Sequence, residues 1–212
     1  TGSKSCDPCP LGKFSDETYL ITPNDCKVCP LGRIGLSSGL KSSDTETASS
    51  CTACGKGRYT SNAGSISGDC KKCELGKYSD QNALPMAVCK TCGLGRFTAA
   101  VGALSFADDC KMCELGKFSD QAINPQTWCK TCGTGKFTSS RASVSVSDCK
   151  LCEKGKYNDN AALHDSTCKD CPHGRYGLTE GLVDFEVRPG AATKADSCQA
   201  CSKGKYSKEV GQ

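Results

Sequence analysis

The stretch Cys89-Lys90-Thr91-Cys92-Gly93-Leu94-Gly95-Arg96-Phe97-Thr98 sets out a ten-residue frame, C-x-x-C-x-x-G-[K/R]-aromatic-small or polar. Copies begin at Cys6, Cys26, Cys51, Cys70, Cys89, Cys110, Cys129, Cys149, Cys168 and Cys198, ten in all. Only one departs at the aromatic position, with Ile34. Self-similarity at a spacing of about twenty residues marks an array whose units touch mainly their neighbours. The chain therefore reads as one continuous array, with atypically long spacers at 36–50 and 178–197.

All 20 cysteines fall in the frame pairs, about 9% of 212 residues, a share typical of disulfide scaffolds and metal proteins. Apolar residues, cysteines included, make up only 37%, so no single large core is expected. A lone unit of about twenty residues buries too little surface to offset its chain entropy and needs a covalent staple. The net charge of +4 is small, and Lys and Arg are matched by Asp and Glu along the chain, which gives no pointer to a nucleic-acid partner. The Lys or Arg after each frame glycine is expected to lay its stem over the adjacent disulfide with its charge in water. The most apolar run, Ala83 to Val88, is far too short to cross a bilayer, so no direct membrane insertion is expected. The chain opens at Thr1, as expected for a mature or excised portion of a precursor that carried a signal peptide.

Between Cys51 and Cys168 the frames alternate. Those at Cys51, Cys89 and Cys129 have Gly after the second cysteine and end Tyr59-Thr60, Phe97-Thr98 and Phe137-Thr138. Those at Cys70, Cys110 and Cys149 have Glu there, follow Asp69, Asp109 and Asp148, and continue Tyr78-Ser79-Asp80, Phe118-Ser119-Asp120 and Tyr157-Asn158-Asp159. The period is thus a pair of frames, about 39 residues. The frames at Cys26 and Cys51 resemble those at Cys168 and Cys198, which hints at a higher-order repeat.

Helical periodicity is absent and every frame carries Gly. The fold class this predicts is a set of small disulfide-rich repeats, an elongated tandem array of irregular short β-hairpins with little helix. Each spacer runs out from the aromatic and back to the next cysteine. The alternation Ser143-Val144-Ser145-Val146-Ser147 predicts one short strand, the glycine at frame position seven a turn or close backbone approach, and the aromatic a miniature core.

C-x-x-C serves three chemistries besides structural disulfides. The spacing suits a zinc ribbon, but no break separates four-cysteine domains, and the Glu or Pro after six pairs has no job in a zinc knuckle. Thioredoxin-like chemistry needs one reactive pair on an α/β scaffold. Covalent haem needs His directly after the pair, and His164 and His173, the only histidines, stand elsewhere. No cofactor or metal is expected. Structural disulfides in an oxidising compartment follow, with two schemes open. One pairs first with first and second with second cysteines of a two-frame module, as Cys51–Cys70 with Cys54–Cys73; it uses all twenty and suits the two-frame period. The other is a ladder from the second cysteine of each frame to the first of the next.

With its core C-x-x-G-x-[Y/F] running to a later cysteine, as in Cys9-Pro10-Leu11-Gly12-Lys13-Phe14 through Cys26 and Cys171-Pro172-His173-Gly174-Arg175-Tyr176 through Cys198, the chain resembles ephrin-receptor-like cysteine-rich repeats. These are related to the first half-module of tumour-necrosis-factor-receptor repeats. The resemblance covers nearly the whole chain and implies the ladder: Cys9–Cys26, Cys29–Cys51, Cys54–Cys70, Cys73–Cys89, Cys92–Cys110, Cys113–Cys129, Cys132–Cys149, Cys152–Cys168 and Cys171–Cys198. Cys6 and Cys201 would then pair outside the segment. Pro follows the pair only at Pro10, Pro30 and Pro172, a departure from the family pattern.

The function expected is that of an extracellular, secreted or cell-surface structural repeat protein: a rod-like segment of a fibre, stalk or appendage that self-associates end to end or laterally. No catalytic constellation recurs, so no enzyme is expected. No N-x-S/T sequon is present, and Ser and Thr in the spacers read as turn formers or O-glycan acceptors. The alternative is a ligand-binding ectodomain of a surface receptor or adhesion protein, with Leu182, Phe185, Val187 and Arg188 as the interaction spacer.

Overall fold

A computed structural model describes residues 5–43, 50–85, 88–161, 168–184 and 197–211. Among the described residues, eighteen strands of two or three residues form nine two-stranded sheets, and the only α-helix is one turn, Phe106–Asp109. Each sheet pairs the basic and aromatic residues of one frame with the residues between the two cysteines of the next: Tyr78 faces Lys90 and Phe118 faces Lys130, both antiparallel. Frame residues fold this way because Gly at position seven takes a positive φ, +69° at Gly95, and turns the chain from the cysteine pair into the outgoing strand.

Nine disulfides form the ladder, from Cys9–Cys26 to Cys171–Cys198, with sequence separations of 16 to 27 residues. Closing a loop of this size is worth about 3 kcal/mol in the chain-entropy model. Cys6 and Cys201 are free thiols.

The chain divides into two compact units, Thr1–Cys92 with Thr98–Cys110 and Gly93–Phe97 with Lys111–Gln212, and each is described by itself. In the first, Phe14 packs on Cys29, Cys51 and Leu40, while Tyr59 packs on Cys73, Cys89 and Leu84. Each aromatic thus covers the disulfide that follows its own, so a repeat finds its core in its neighbour. Phe14 also makes a parallel bridge to Leu40, and the Ser15 N–H donates to the Leu40 carbonyl at 2.9 Å. A turn residue in each spacer then ties back to the preceding frame: the N–H of Gly102 donates to the Cys73 carbonyl at 2.7 Å. Two frames apart, backbones touch, since a Cβ on Gly57 would lie 2.2 Å from the Gly102 carbonyl oxygen.

The second unit repeats these joints. Phe118 packs on Cys132 and Cys149, and Tyr157 on Cys171, Cys198 and Leu182. The Ala142 N–H donates to the Cys113 carbonyl at 2.8 Å. Ala142 occupies the turn with φ +57°, a left-handed conformation that glycine adopts in most other spacers.

Frame position ten carries the linkage between successive units. The glycine N–H of one frame donates to the hydroxyl of the next frame's threonine: Gly76 to Thr98 at 2.8 Å and Gly116 to Thr138 at 2.6 Å. In the alternate frames it donates to a backbone carbonyl instead, Gly57 to Ser79 at 2.9 Å and Gly135 to Asn158 at 2.8 Å. Thr60, Ser79, Thr98, Thr138 and Asn158 are all 0% exposed. The two-frame period is the alternation of these acceptors.

The strand expected over Ser143–Ser147 is not formed. Ser143 bridges to Phe118, and Val146–Asp148 is a 3-10 turn capped by Ser145, with the Asp148 carboxylate accepting the Val144 and Ser145 N–H groups at 2.8 and 3.0 Å. With no partner strand beside it, the segment satisfies its backbone from its own side chains. Asp69 and Asp109 cap the equivalent turns.

Two substitutions separate close approach from conformational preference. Gly57→Ala is expected to destabilise the protein by more than about 3 kcal/mol, because its Cβ meets immovable backbone. Gly102→Ala places its Cβ 3.5 Å from the Lys72 stem and is expected to lose only about 1 kcal/mol through its positive φ. Thr98→Val leaves the Gly76 N–H buried without an acceptor and is expected to lose about 1–3 kcal/mol, whereas Thr98→Ser keeps most of that. Denaturant unfolding of each variant checks the order.

Candidate functional site

The residues inside the frame are taken up by structure. Arg33, Arg58 and Arg175 each donate from Nη1 to the carbonyl of the first cysteine of the next frame, at 2.9, 2.9 and 3.0 Å. These guanidinium groups are therefore anchored to backbone, beyond the water-facing charge expected for them. In the Glu frames, Lys77 and Lys117 pair with Glu74 and Glu114 at 3.0 and 3.1 Å.

A second basic row, missed in the sequence, follows the first cysteine of a frame. Lys27, Lys90, Lys130 and Lys169 reach Asp16, Asp80, Asp120 and Asp159 at 2.6 to 2.8 Å. Lys90, Lys130 and Lys169 also lie 5.7 to 5.9 Å above the rings of Tyr78, Phe118 and Tyr157. The hydrogen bonds from Lys90 and Lys130 hold the carboxyls of Asp80 and Asp120 below the ordinary carboxylate range. Asp16 and then Glu17 push Lys27 up to about 12. Such exposed pairs fix register more than they stabilise. Frame spacing held a signal for them: Asp stands at position eleven and Lys at position two of the next frame, which the hairpin register brings opposite each other.

Among the described residues no group of three or more His, Cys, Asp or Glu side chains could hold a metal ion. His173 is exposed, and His164 lies outside the described residues. Of the interaction spacer expected in the sequence, Leu182 is 0% exposed beneath Cys171 and Cys198, while Phe185, Val187 and Arg188 lie outside the described residues. Leu182 is drawn in because the bridge from Tyr157 brings it against the ring, the place Leu40 takes beside Phe14. Both long spacers are closed alike, by Ser42 with Ser50 and by Asp184 with Ser197.

Cys6 and Cys201 are left without a partner in the ladder. A cleft of about 370 Å³ is lined by Cys6, Pro8, Cys9, Leu20, Ile21 and Cys26 among others, and Ile21 is 92% exposed. Cys201 precedes Tyr206, whose ring is 76% exposed where Phe14 and Phe118 are 6% exposed.

No helix among the described residues is long and apolar enough to cross a membrane. Residues 107–149 match the family described as tyrosine-protein kinase ephrin type A/B receptor-like. No curated protein matches the chain. The matched stretch contains the complete Cys113–Cys129 and Cys132–Cys149 loops. The same frame, hairpin and forward disulfide recur on both sides of it, so the chain is a tandem series of disulfide-closed cysteine-rich repeats that is similar to this family over residues 107–149.

Proposed function

We propose that the chain is a structural segment of an extracellular ectodomain, a rod-like stretch of a stalk, fibre or surface appendage that associates with copies of itself. The observation that carries this reading is the use of the frame. Glycine, aromatic, position-ten residue and both cysteines all serve joints with neighbouring units, and none converges with a second reactive group on a site. Nine disulfides suit an oxidising, extracellular setting. Spacer Ser and Thr are the places for O-linked glycans. The receptor-like description of the matched family favours the second reading, a ligand-binding ectodomain whose contact surface would be the long spacer 178–197.

Excising residues 129–167 removes one two-frame period and lets the Glu frame at Cys110 take the place of the one at Cys149: Cys113 would meet Cys168, Gly95 would meet Gly181, which already receives Gly135, and Gly116 would meet the Gly177 carbonyl, which already accepts the Gly155 N–H. The shortened chain is expected to fold fully oxidised with a Tm within about 4 °C of the parent, the shift that about 1 kcal/mol produces at this length. Excising 129–148 alone sets two Glu frames in succession, a junction found nowhere among the ten frames, and is expected to lower Tm further. Loss of folding in the first variant overturns the modular structural reading. Loss of a soluble partner on deleting residues 185–195, with all disulfides kept, transfers the function to the ligand-binding reading.

A further inference from the structure

We infer that the hairpins opened by the Gly frames bind an extracellular polyanion, a sulfated polysaccharide chain, through basic side chains that the fold provides with no acid. This goes beyond the structural reading above and shares with it only the extracellular setting. The two kinds of hairpin differ in how their charge is met. In the hairpins of the Glu frames every basic strand residue has a carboxylate: Lys77 pairs with Glu74 and Lys90 with Asp80, Lys117 with Glu114 and Lys130 with Asp120, Lys156 with Asp170 and Lys169 with Asp159. In the Gly-frame hairpins Arg58, Lys71, Lys72, Lys111, Lys136 and Lys150 make no ion pair among the described residues. Position eleven explains the difference: Asp80, Asp120 and Asp159 stand there in the Glu frames, Ser61, Ala99 and Ser139 in the Gly frames. The capping acids of the Gly-frame hairpins are turned onto backbone instead, Asp69 accepting the Ile66 N–H, Asp109 those of Leu104 and Ser105, and Asp148 those of Val144 and Ser145.

The charge is densest in the hairpin of the frame at Cys51. Its register sets Arg58 directly opposite Lys72, and like charges so placed repel. In the later hairpins the residue opposite the frame base is Thr91, Thr131, Leu151 or Asp170. Arg58 and Lys72 are both exposed. An anion bound between them replaces that repulsion with two attractions, and guanidinium and ammonium donors suit the oxygens of a sulfate ester. On the other face of the strand, Lys71 donates to the Ser61 hydroxyl at 3.0 Å and lines a polar cleft of about 230 Å³ with Ser61 and Asn62. The one acid of that cleft is Asp69, whose carboxylate is held by the Ile66 N–H at 2.7 Å. The second unit carries its own basic hairpin, with Lys136, Arg141 and Lys150 beside Ser139 and Ser140.

Three features select the ligand. Basic sites that recur with the frame alternation suit a polymer whose own charges recur along its length, since weak contacts then add as avidity. Serine hydroxyls and the Asn62 amide beside the lysines suit sugar hydroxyls, which both donate and accept. The disulfides place the chain in the oxidising space outside cells, where anionic polysaccharides rather than nucleic acids are the abundant polyanions.

The test measures binding of the oxidised 212-residue chain to immobilised heparin, a sulfated polysaccharide, by surface plasmon resonance at fixed ionic strength. Lys71→Gln with Lys72→Gln, and separately Lys136→Gln with Lys150→Gln, should each weaken binding about tenfold through the loss of two ion pairs. Lys90→Gln with Lys130→Gln removes the same charge from the Glu-frame hairpins and should change binding by less than about twofold. Lys72→Thr, which copies the residue opposite Lys77, should weaken binding about threefold while raising the Tm of the unliganded chain by about 1–2 °C, a combination that loss of folding would not give. Chemically desulfated heparin should bind at least about tenfold more weakly than the parent polymer. An equal loss in the Lys90 and Lys130 variant would reduce the effect to net charge. Undiminished binding after desulfation, or tighter binding of polyglutamate than of heparin, would assign the face to a different acidic ligand. Each of these results overturns the inference, and each is read on a chain with its disulfides intact, so the structural reading stands or falls separately with the 129–167 excision.

Discussion

The backbone N–H of the frame glycine is the donor on which the array depends, because its acceptor belongs to the following unit. Gly76 cannot satisfy it locally: the turn that positive φ allows directs the N–H away from its own hairpin and into Thr98, which is fully buried. An unmet buried donor is costly in a low-dielectric interior, so every unit requires a neighbour in register. Apolar contact obeys the same rule, with Tyr59 and Phe118 spending their surface on the disulfide ahead of them. Folding, packing and hydrogen bonding therefore all point forward along the chain.

The disulfides and the joints divide the labour. Each sulfur bridge closes one hairpin and lowers the entropy of the unfolded loop, but it links only adjacent frames and says nothing about the frame beyond. The backbone approach of Gly57 to Gly102 supplies that longer link, two frames on. Stability in such an array is the sum of local staples and nearest-neighbour terms.

The repeating frame made the fold class readable, since Gly95 and Phe97 recur at fixed places and spacers rich in Ser, Gly and Asp offer no helix. Pairing of the sulfurs was not readable from spacing, because Cys51–Cys70 and Cys54–Cys70 close loops of nearly equal length; the family pattern chose between them. The task of Thr98 and Thr138 stayed hidden because its partner lies 22 residues upstream, and sequence shows only a small polar residue. Ser143 to Ser147 alternates like a strand, yet Ser145 and Asp148 turn it into a capped turn because no edge is offered nearby. Leu182 looked like part of an interaction surface, but the bridge to Tyr157 buries it.

The claim that each unit is stapled to the next and completed by it is tested most directly by mass spectrometry of unreduced, proteolysed peptides. The account predicts linkage of Cys54 with Cys70 and of Cys73 with Cys89. Peptides joining Cys51 with Cys70 and Cys54 with Cys73 would contradict it, because each aromatic would then lack the disulfide it covers.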